Sequence, residues 1–249
     1  LKLIKDKSIS HIIFCQGIVN FDQISKDPKK AEDTNLNSLL KQLKKIKNIN
    51  VNVIFFSSES IFDGNVGNYT EESSPNPIIS YGNQKLVVEN FIKFYFQNYL
   101  ILRLSKVYDS EINEQKSLIY NWFHLLNNSQ KVEVAIDNFI TPIHKNDLRE
   151  FITRLITQDA RGIFNISSDD NMSRSDFFEI FYKKYCLYFN TKSLIEKKQL
   201  DYILKKNVNI PKKTSLDNKK VKQFTDYTPK SFSYYCNIFF SNLHTNDQK

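Results

Sequence analysis

The chain has 249 residues, 41% of them hydrophobic and 14% aromatic, including 20 Phe and 13 Tyr. That is enough apolar mass for a full core and excludes a disordered chain, while only 5 Gly and 6 Pro exclude a collagen-like or linker-like one. Lys and Arg number 35 against 27 Asp and Glu, a net charge of +8; a basic balance suits nucleic acid, a membrane surface or a small acidic ligand. The Lys are spread through the chain, with dense spots at 41–47 and 212–220, so they read as a solvated surface first and as phosphate contacts second. Three scattered Cys (Cys15, Cys186, Cys236) argue against a disulfide framework and for a reducing compartment. His11, His124, His144 and His244 share no zinc-like spacing with them, so no metal is expected. No apolar run is long enough to span a bilayer.

In chain order, His11-Ile-Ile-Phe-Cys15 reads as a buried strand, and 28–47 as a helix. Val51-Asn-Val-Ile-Phe-Phe56 is a second strand, followed by a turn-rich loop over 63–77. Residues 80–97 read as a long helix whose apolar side is expected to carry Leu86, Val87, Phe91, Phe94 and Tyr95. Tyr99-Leu-Ile-Leu-Arg103 is a third strand. Strands that are apolar throughout and separated by helices predict an α/β fold with a parallel sheet covered on both faces. Beyond 110 the spacing predicts a helix over 118–127, a strand over 132–136, a helix over 146–157 and a strand over 162–166. Ser173-Arg-Ser-Asp176 is a capping-box pattern opening a helix through 185, and the tail from 199 carries a basic segment at 211–220.

The chemistry centres on Tyr81-Gly-Asn-Gln-Lys85. Four residues apart near the start of a helix, Tyr81 and Lys85 lie on one face. A free phenol titrates near about 10, and a neighbouring ammonium is expected to pull it down, making the tyrosine a working acid or base. The spacing alone decides little, since it recurs at Tyr188/Lys192 and Tyr202/Lys206. The context decides more. The second strand runs directly into Ser57-Ser58, and ligands of parallel sheets bind beyond the carboxyl ends of the strands. The third strand ends at Leu104-Ser-Lys-Val-Tyr108, another loop at the same edge.

Taken together, Ser57-Ser-x-x-Ile-Phe-x-Gly64, Tyr69-Thr-Glu-Glu72, Pro75-Asn-Pro77, Tyr81-Gly-x-x-Lys85 and Leu102-Arg-Leu-Ser-x-Val-Tyr108 resemble the extended short-chain dehydrogenase/reductase superfamily. Within it, the chain is most similar to the dTDP-4-dehydrorhamnose reductase family. Val134-Ala-Ile-Asp-Asn-Phe-Ile-Thr-Pro142 resembles that family's Asp-Gln-x-Gly-x-Pro-Thr stretch, and Pro211-Lys-Lys-Thr-Ser-Leu-Asp217 its Arg-Pro-x-x-Ser-x-Leu-Asp. The resemblance implies a Rossmann-like parallel sheet with a smaller C-terminal α/β substrate lobe. Residues 1–110 would be a partial NAD(P)-binding domain and 111–249 the lobe, with some chain exchange between them.

It further implies a cytoplasmic NAD(P)-dependent reductase of a keto-sugar carried on a nucleotide diphosphate, with NADPH or NADH as the hydride source. By the resemblance Ser58, Tyr81 and Lys85 are the catalytic set. Cys15, Gln16, Gly17, Asn35, Ser57 and Ser105, with Tyr81 and Lys85, are the cofactor-binding positions, and Asp137, Thr141 and Lys212 are substrate-pocket candidates. The expected partner is the nucleotide-diphosphate sugar, with no nucleic acid or membrane, and a homodimer is left open. An epimerase or dehydratase with the same triad, or a non-catalytic nucleotide-binding subunit of another enzyme, are the alternatives. Cys15 reads as a small buried residue rather than a nucleophile, His144 as a loop organiser, and Trp122 and Phe123 as core.

Several positions depart from the family pattern. Gln16 is bulkier than the usual Ala, Glu59-Ser60 replaces a common Asp-Tyr pair, and Ile210 stands where Arg precedes the Pro. Lys212 or Lys213 could supply that charge only as a flexible point charge. No Gly-x-x-Gly-x-x-Gly turn is present, and Leu1 to Ser10 aligns just before the family's fourth strand. The expectation is an intact protein longer by one βαβ unit of roughly 30 residues.

Overall fold

The computed structural model describes residues 9–111, 117–128, 131–190, 195–204 and 210–246; most of the Leu1 to Ser10 segment lies outside them. Four strands form one parallel sheet in chain order: β1 (His11–Phe14), β2 (Asn52–Ser58), β3 (Tyr99–Leu104) and β4 (Gly162–Ile166). The uniformly apolar strands divide their residues between two covered faces. Val53, Phe55 and Ile101 pack with Leu39 and Leu43 of α1 (Ser38–Ile46) and Val88 and Ile92 of α2 (Ser80–Tyr95). Ile54, Leu100 and Leu102 face the other way, onto Phe151 and Leu155 of α4 (Lys145–Thr157) and Val221 of α6 (Lys219–Thr225). The α/β fold with a two-faced parallel sheet is thus as the sequence predicts.

A second, strongly aromatic core lies beyond the sheet. It joins α3 (Leu118–Asn127), α5 (Arg174–Phe189) and α7 (Phe232–Asn246) through Trp122, Phe178, Phe181, Phe232 and Phe239. The predicted capping box is present at the start of α5, where Ser173 and Asp176 satisfy each other's backbone N–H. Residues after 110 serve both cores, because α4, β4 and α6 return to the sheet. A strap over 210–218 stitches the two together. Lys213 N–H donates to Gly64 O (2.9 Å), Tyr69 N–H to Ser215 O (2.9 Å) and Thr214 N–H to Phe139 O (2.9 Å). Gly64 has φ +73°, and a Cβ there would sit 2.5 Å from the Cβ of Pro211, so the loop meets the strap only through glycine.

Two expectations fail in detail. Of the stripe expected on α2, Leu86 and Phe91 pack against buried clusters, but Val87, Phe94 and Tyr95 are 45%, 80% and 43% exposed. The helix turns Gln84, Lys85, Val88, Glu89 and Ile92 inward instead. The physical reason is at the strand ends: Arg103 of β3 is buried and needs an anion, and Glu89 supplies it at 3.0 Å. Cys15 is exposed rather than buried, because β1 ends at Phe14; all three Cys are free. Among the described residues no helix is long and apolar enough to cross a membrane, and no group of three or more His, Cys, Asp or Glu is placed to hold a metal.

Candidate active site

The carboxyl ends of β2 and β3 open onto one cleft of about 380 Å³. Ser58, the last residue of β2, caps the short turn Glu59–Ile61 by accepting from Ser60 N–H at 3.1 Å. Helix α2 starts hard against this turn: a Cβ on Gly82 would lie 1.9 Å from Ser60 O. The Tyr-Gly pair is therefore a packing requirement that sets Tyr81 near Ser58 on the wall of the cleft. One turn on, Lys85 Nζ donates to Phe56 O at 2.8 Å and lies 5.7 Å from the centre of the Tyr81 ring. The hydroxyl, phenol and ammonium that the sequence singled out share one cleft.

Its electrostatics are set by burial. Desolvation, then the Glu59 carboxylate, push the Tyr81 phenol well above its ordinary value, against the smaller pull of the Ser58 hydroxyl. Burial also pulls Lys85 down to about 8, with Cys15 and Glu89 opposing. The expected lowering of the phenol by Lys85 is thus corrected: the ammonium is committed to the Phe56 carbonyl, desolvation dominates, and Tyr81 stays neutral. Glu59 is pushed up to about 7 by burial, against the pull of Lys106 and Arg174.

Cys15, Gln16 and Gly17 line the same cleft. Asn35 lies beneath them, buried on a π turn (Asp33–Asn37), where its amide accepts from Ile18 N–H (2.7 Å) and donates to Ile18 O (3.0 Å) and Gln84 Oε1 (2.9 Å). It shapes the cofactor-side loop and does not line the cleft. Ser57 lines the cleft, but its hydroxyl proton is donated to Glu89 at 2.5 Å, which leaves the oxygen only as an acceptor. Ser105 is the opposite case: its Oγ is buried with no partner in a residue that lines the cleft.

The substrate candidates land differently. Asp137 accepts from Leu200 N–H at 2.7 Å and pairs with Lys212 at 3.0 Å, and Lys212 also pairs with Asp201 at 2.7 Å. Thr141 is buried, with its Oγ1 accepting from Leu216 N–H at 3.0 Å. All three hold the strap in place and none lines the cleft; the charge expected of Lys212 is already spent on carboxylates. Sequence reasoning missed Lys106 and Arg174, which do line it, together with a second chamber of about 240 Å³ that shares Glu59, Ser60, Lys106 and Arg174 with the first. The signal that could have marked Lys106 is its place directly after Ser105; Arg174 sits at the first position of a capped helix. His144 caps α4 and stacks on Tyr235 with ring centres 3.5 Å apart, a structural post. Of the chance Tyr/Lys pairs, Lys192 and Lys206 lie outside the described residues.

A family described as RmlD substrate binding domain matches residues 1–244. The chain belongs to the RmlD substrate-binding domain family. Among relatives, this RmlD-family chain is 25% identical over 182 residues to a probable low-salt glycan biosynthesis reductase, Agl14, of Haloferax volcanii, covering 72% of the chain and 61% of that protein. It is 25% identical over 179 residues to methionine adenosyltransferase 2 subunit beta of Rattus norvegicus, covering 69% of the chain and 53% of that protein. The chain thus spans less than two thirds of the length of either relative. Its fold matches the crystal structure of dTDP-4-dehydrorhamnose reductase from Bacillus anthracis in complex with NADP, with a TM-score of 0.80 at 21% identity over 97% of this chain and 83% of that one.

Proposed function

We propose that this RmlD-family chain belongs to an NAD(P)-dependent reductase of a keto-sugar carried on a nucleotide diphosphate. The observation that carries this reading is the meeting of Ser58, Tyr81 and Lys85 in one cleft at the rim of a parallel sheet. The residues fit a nicotinamide nucleotide. Among the described residues Ser105 Oγ is buried without a partner, and Lys85 Nζ donates to Phe56 O with one of its three protons. Cys15, Gln16 and Gly17 form the adjoining wall. When bound, NAD(P)H supplies a hydride to the sugar carbonyl carbon. The chain's own part is then proton and charge management. Tyr81, held neutral by burial, gives its proton to the carbonyl oxygen; Ser58 donates a hydrogen bond to that oxygen as charge develops; and Lys85 offsets the charge of the phenolate until solvent reprotonates it, and orients ribose hydroxyls.

The test is Tyr81→Phe, assayed by NADPH oxidation with a panel of neutral and acidic keto-sugars carried on nucleotide diphosphates. Turnover should fall by about 10²–10⁴-fold with NADPH binding kept; unchanged turnover would refute the role of Tyr81. A non-catalytic reading is favoured by the likeness to a methionine adenosyltransferase subunit. On that reading Tyr81→Phe changes nothing because the parent protein binds NADPH without oxidising it.

A further inference from the structure

Lys106 leaves the end of β3 and Arg174 opens α5, yet both face the wall shared by the two chambers. Among the described residues neither side chain makes a hydrogen bond or a salt bridge, and the Arg174 Nε is buried without a partner. Arg174 is held only through its backbone, whose N–H donates to Asn138 O at 3.0 Å. Glu59 lines the same wall, so one carboxylate faces two cations and at least one positive charge is left over. A guanidinium nitrogen withdrawn from water without a partner is costly, and it is retained where a ligand completes it.

We propose that Lys106 and Arg174 form an anion subsite beside Ser58 and Tyr81 that takes a single carboxylate borne by the sugar ring. The inference rests on the reductase reading and narrows its substrate to an acidic sugar. Two arguments favour a ring carboxylate over the diphosphate. The cations border the chamber that holds Ser58 and Tyr81, where the reacting ring must lie. One ring carboxylate can meet Arg174 and Lys106 together, whereas a diphosphate would bring further negative charge against Glu59. Arg174 offers a planar fork suited to a carboxylate and Lys106 a point charge beside it.

The experiment is calorimetric titration of the intact protein with UDP-glucuronate, UDP-glucose and UDP, with NADPH binding followed by fluorescence in parallel. The parent protein should bind UDP-glucuronate about tenfold more tightly than UDP-glucose. That ratio should fall to about one in Arg174→Gln and Lys106→Gln and stay intermediate in Arg174→Lys, which keeps a charge without the fork. Equal affinities in the parent overturn the subsite. So do variants that weaken UDP, UDP-glucose and UDP-glucuronate by one common factor, since the cations would then hold the diphosphate. NADPH binding with a flat ratio defeats the subsite and leaves the reductase reading standing; binding of neither NADPH nor any of the three nucleotides defeats both.

Discussion

Tyr81 starts as a neutral phenol because water is excluded and Glu59 lies close, and an acid that starts protonated can give a proton without first acquiring one. Glu59 itself carries a pH signature. Its carboxyl titrates at about 7 in the fold against 4.5 ordinarily, with Lys106 and Arg174 facing it and the Tyr81 phenol nearby. Between those two values the folded chain holds a proton that the unfolded chain has released, so stability falls as pH rises through the window and levels off above it. Glu59→Gln removes this titration. Thermal unfolding of both proteins from about pH 4.5 to about pH 8 should show the variant gaining on the parent up to about pH 7, then holding steady; a gap that shrinks over that range would contradict the assignment. The triad was legible in the sequence because each member sits in a local pattern, a strand end or a helix start. Lys106 and Arg174 were not, since a lone basic residue among 35 Lys and Arg declares nothing until packing shows which one is left without a partner.

At the scale of the element, α2 shows where hydrophobic periodicity misleads. Its sequence offers a stripe through Phe91, Phe94 and Tyr95, of which only Phe91 packs inward, while the buried face carries Gln84, Lys85 and Glu89 between Val88 and Ile92. The partners that demand this, Ser57 and Arg103, lie on two other elements and are invisible to a window read along one helix. Phe94→Ala should accordingly change stability by under about 0.5 kcal/mol. Glu89→Ala should cost about 3–5 kcal/mol, because it strands the buried Arg103 guanidinium that Glu89 binds through both oxygens, at 3.2 and 3.0 Å. In thermal denaturation the second variant should melt roughly 10 °C below the parent; equal losses for both would mean that the aromatic stripe, not the ion pair, anchors the helix. Gly82→Ala attacks the other end. The added methyl meets a backbone oxygen, which cannot swing aside as a side chain can, so the cost should reach about 3 kcal/mol, the upper end of overpacking. If the proposed reductase reading holds, NADPH turnover should fall with it, because Tyr81 is carried on the same turn; a stable, active Gly82→Ala protein would break the link drawn between packing and site.

On the scale of the whole molecule, the cleft exists because the chain leaves the sheet and comes back. The parallel sheet was readable from strands that are apolar throughout. What periodicity could not show was which later segments rejoin it, since Gly162–Ile166 reads like any short strand until β3 is seen to pair with it. The return, through α4, β4 and α6, places the aromatic core beside the sheet, and the strap over 210–218 then ties loop Gly64–Tyr69 to Phe139 and Thr141. If that strap couples the two cores, neither should unfold alone. The protein contains one Trp, Trp122, and it is buried in the aromatic core, so its fluorescence reports that core while far-UV circular dichroism averages over both. The two signals should trace a single coincident urea transition. Thr141→Val, which leaves the Leu216 N–H without its acceptor, should lower the midpoint at a cost of about 1–3 kcal/mol while keeping the curves superimposed. Fluorescence that changes ahead of the dichroism in the parent protein would show that the aromatic core melts independently and that the strap does not unite the fold.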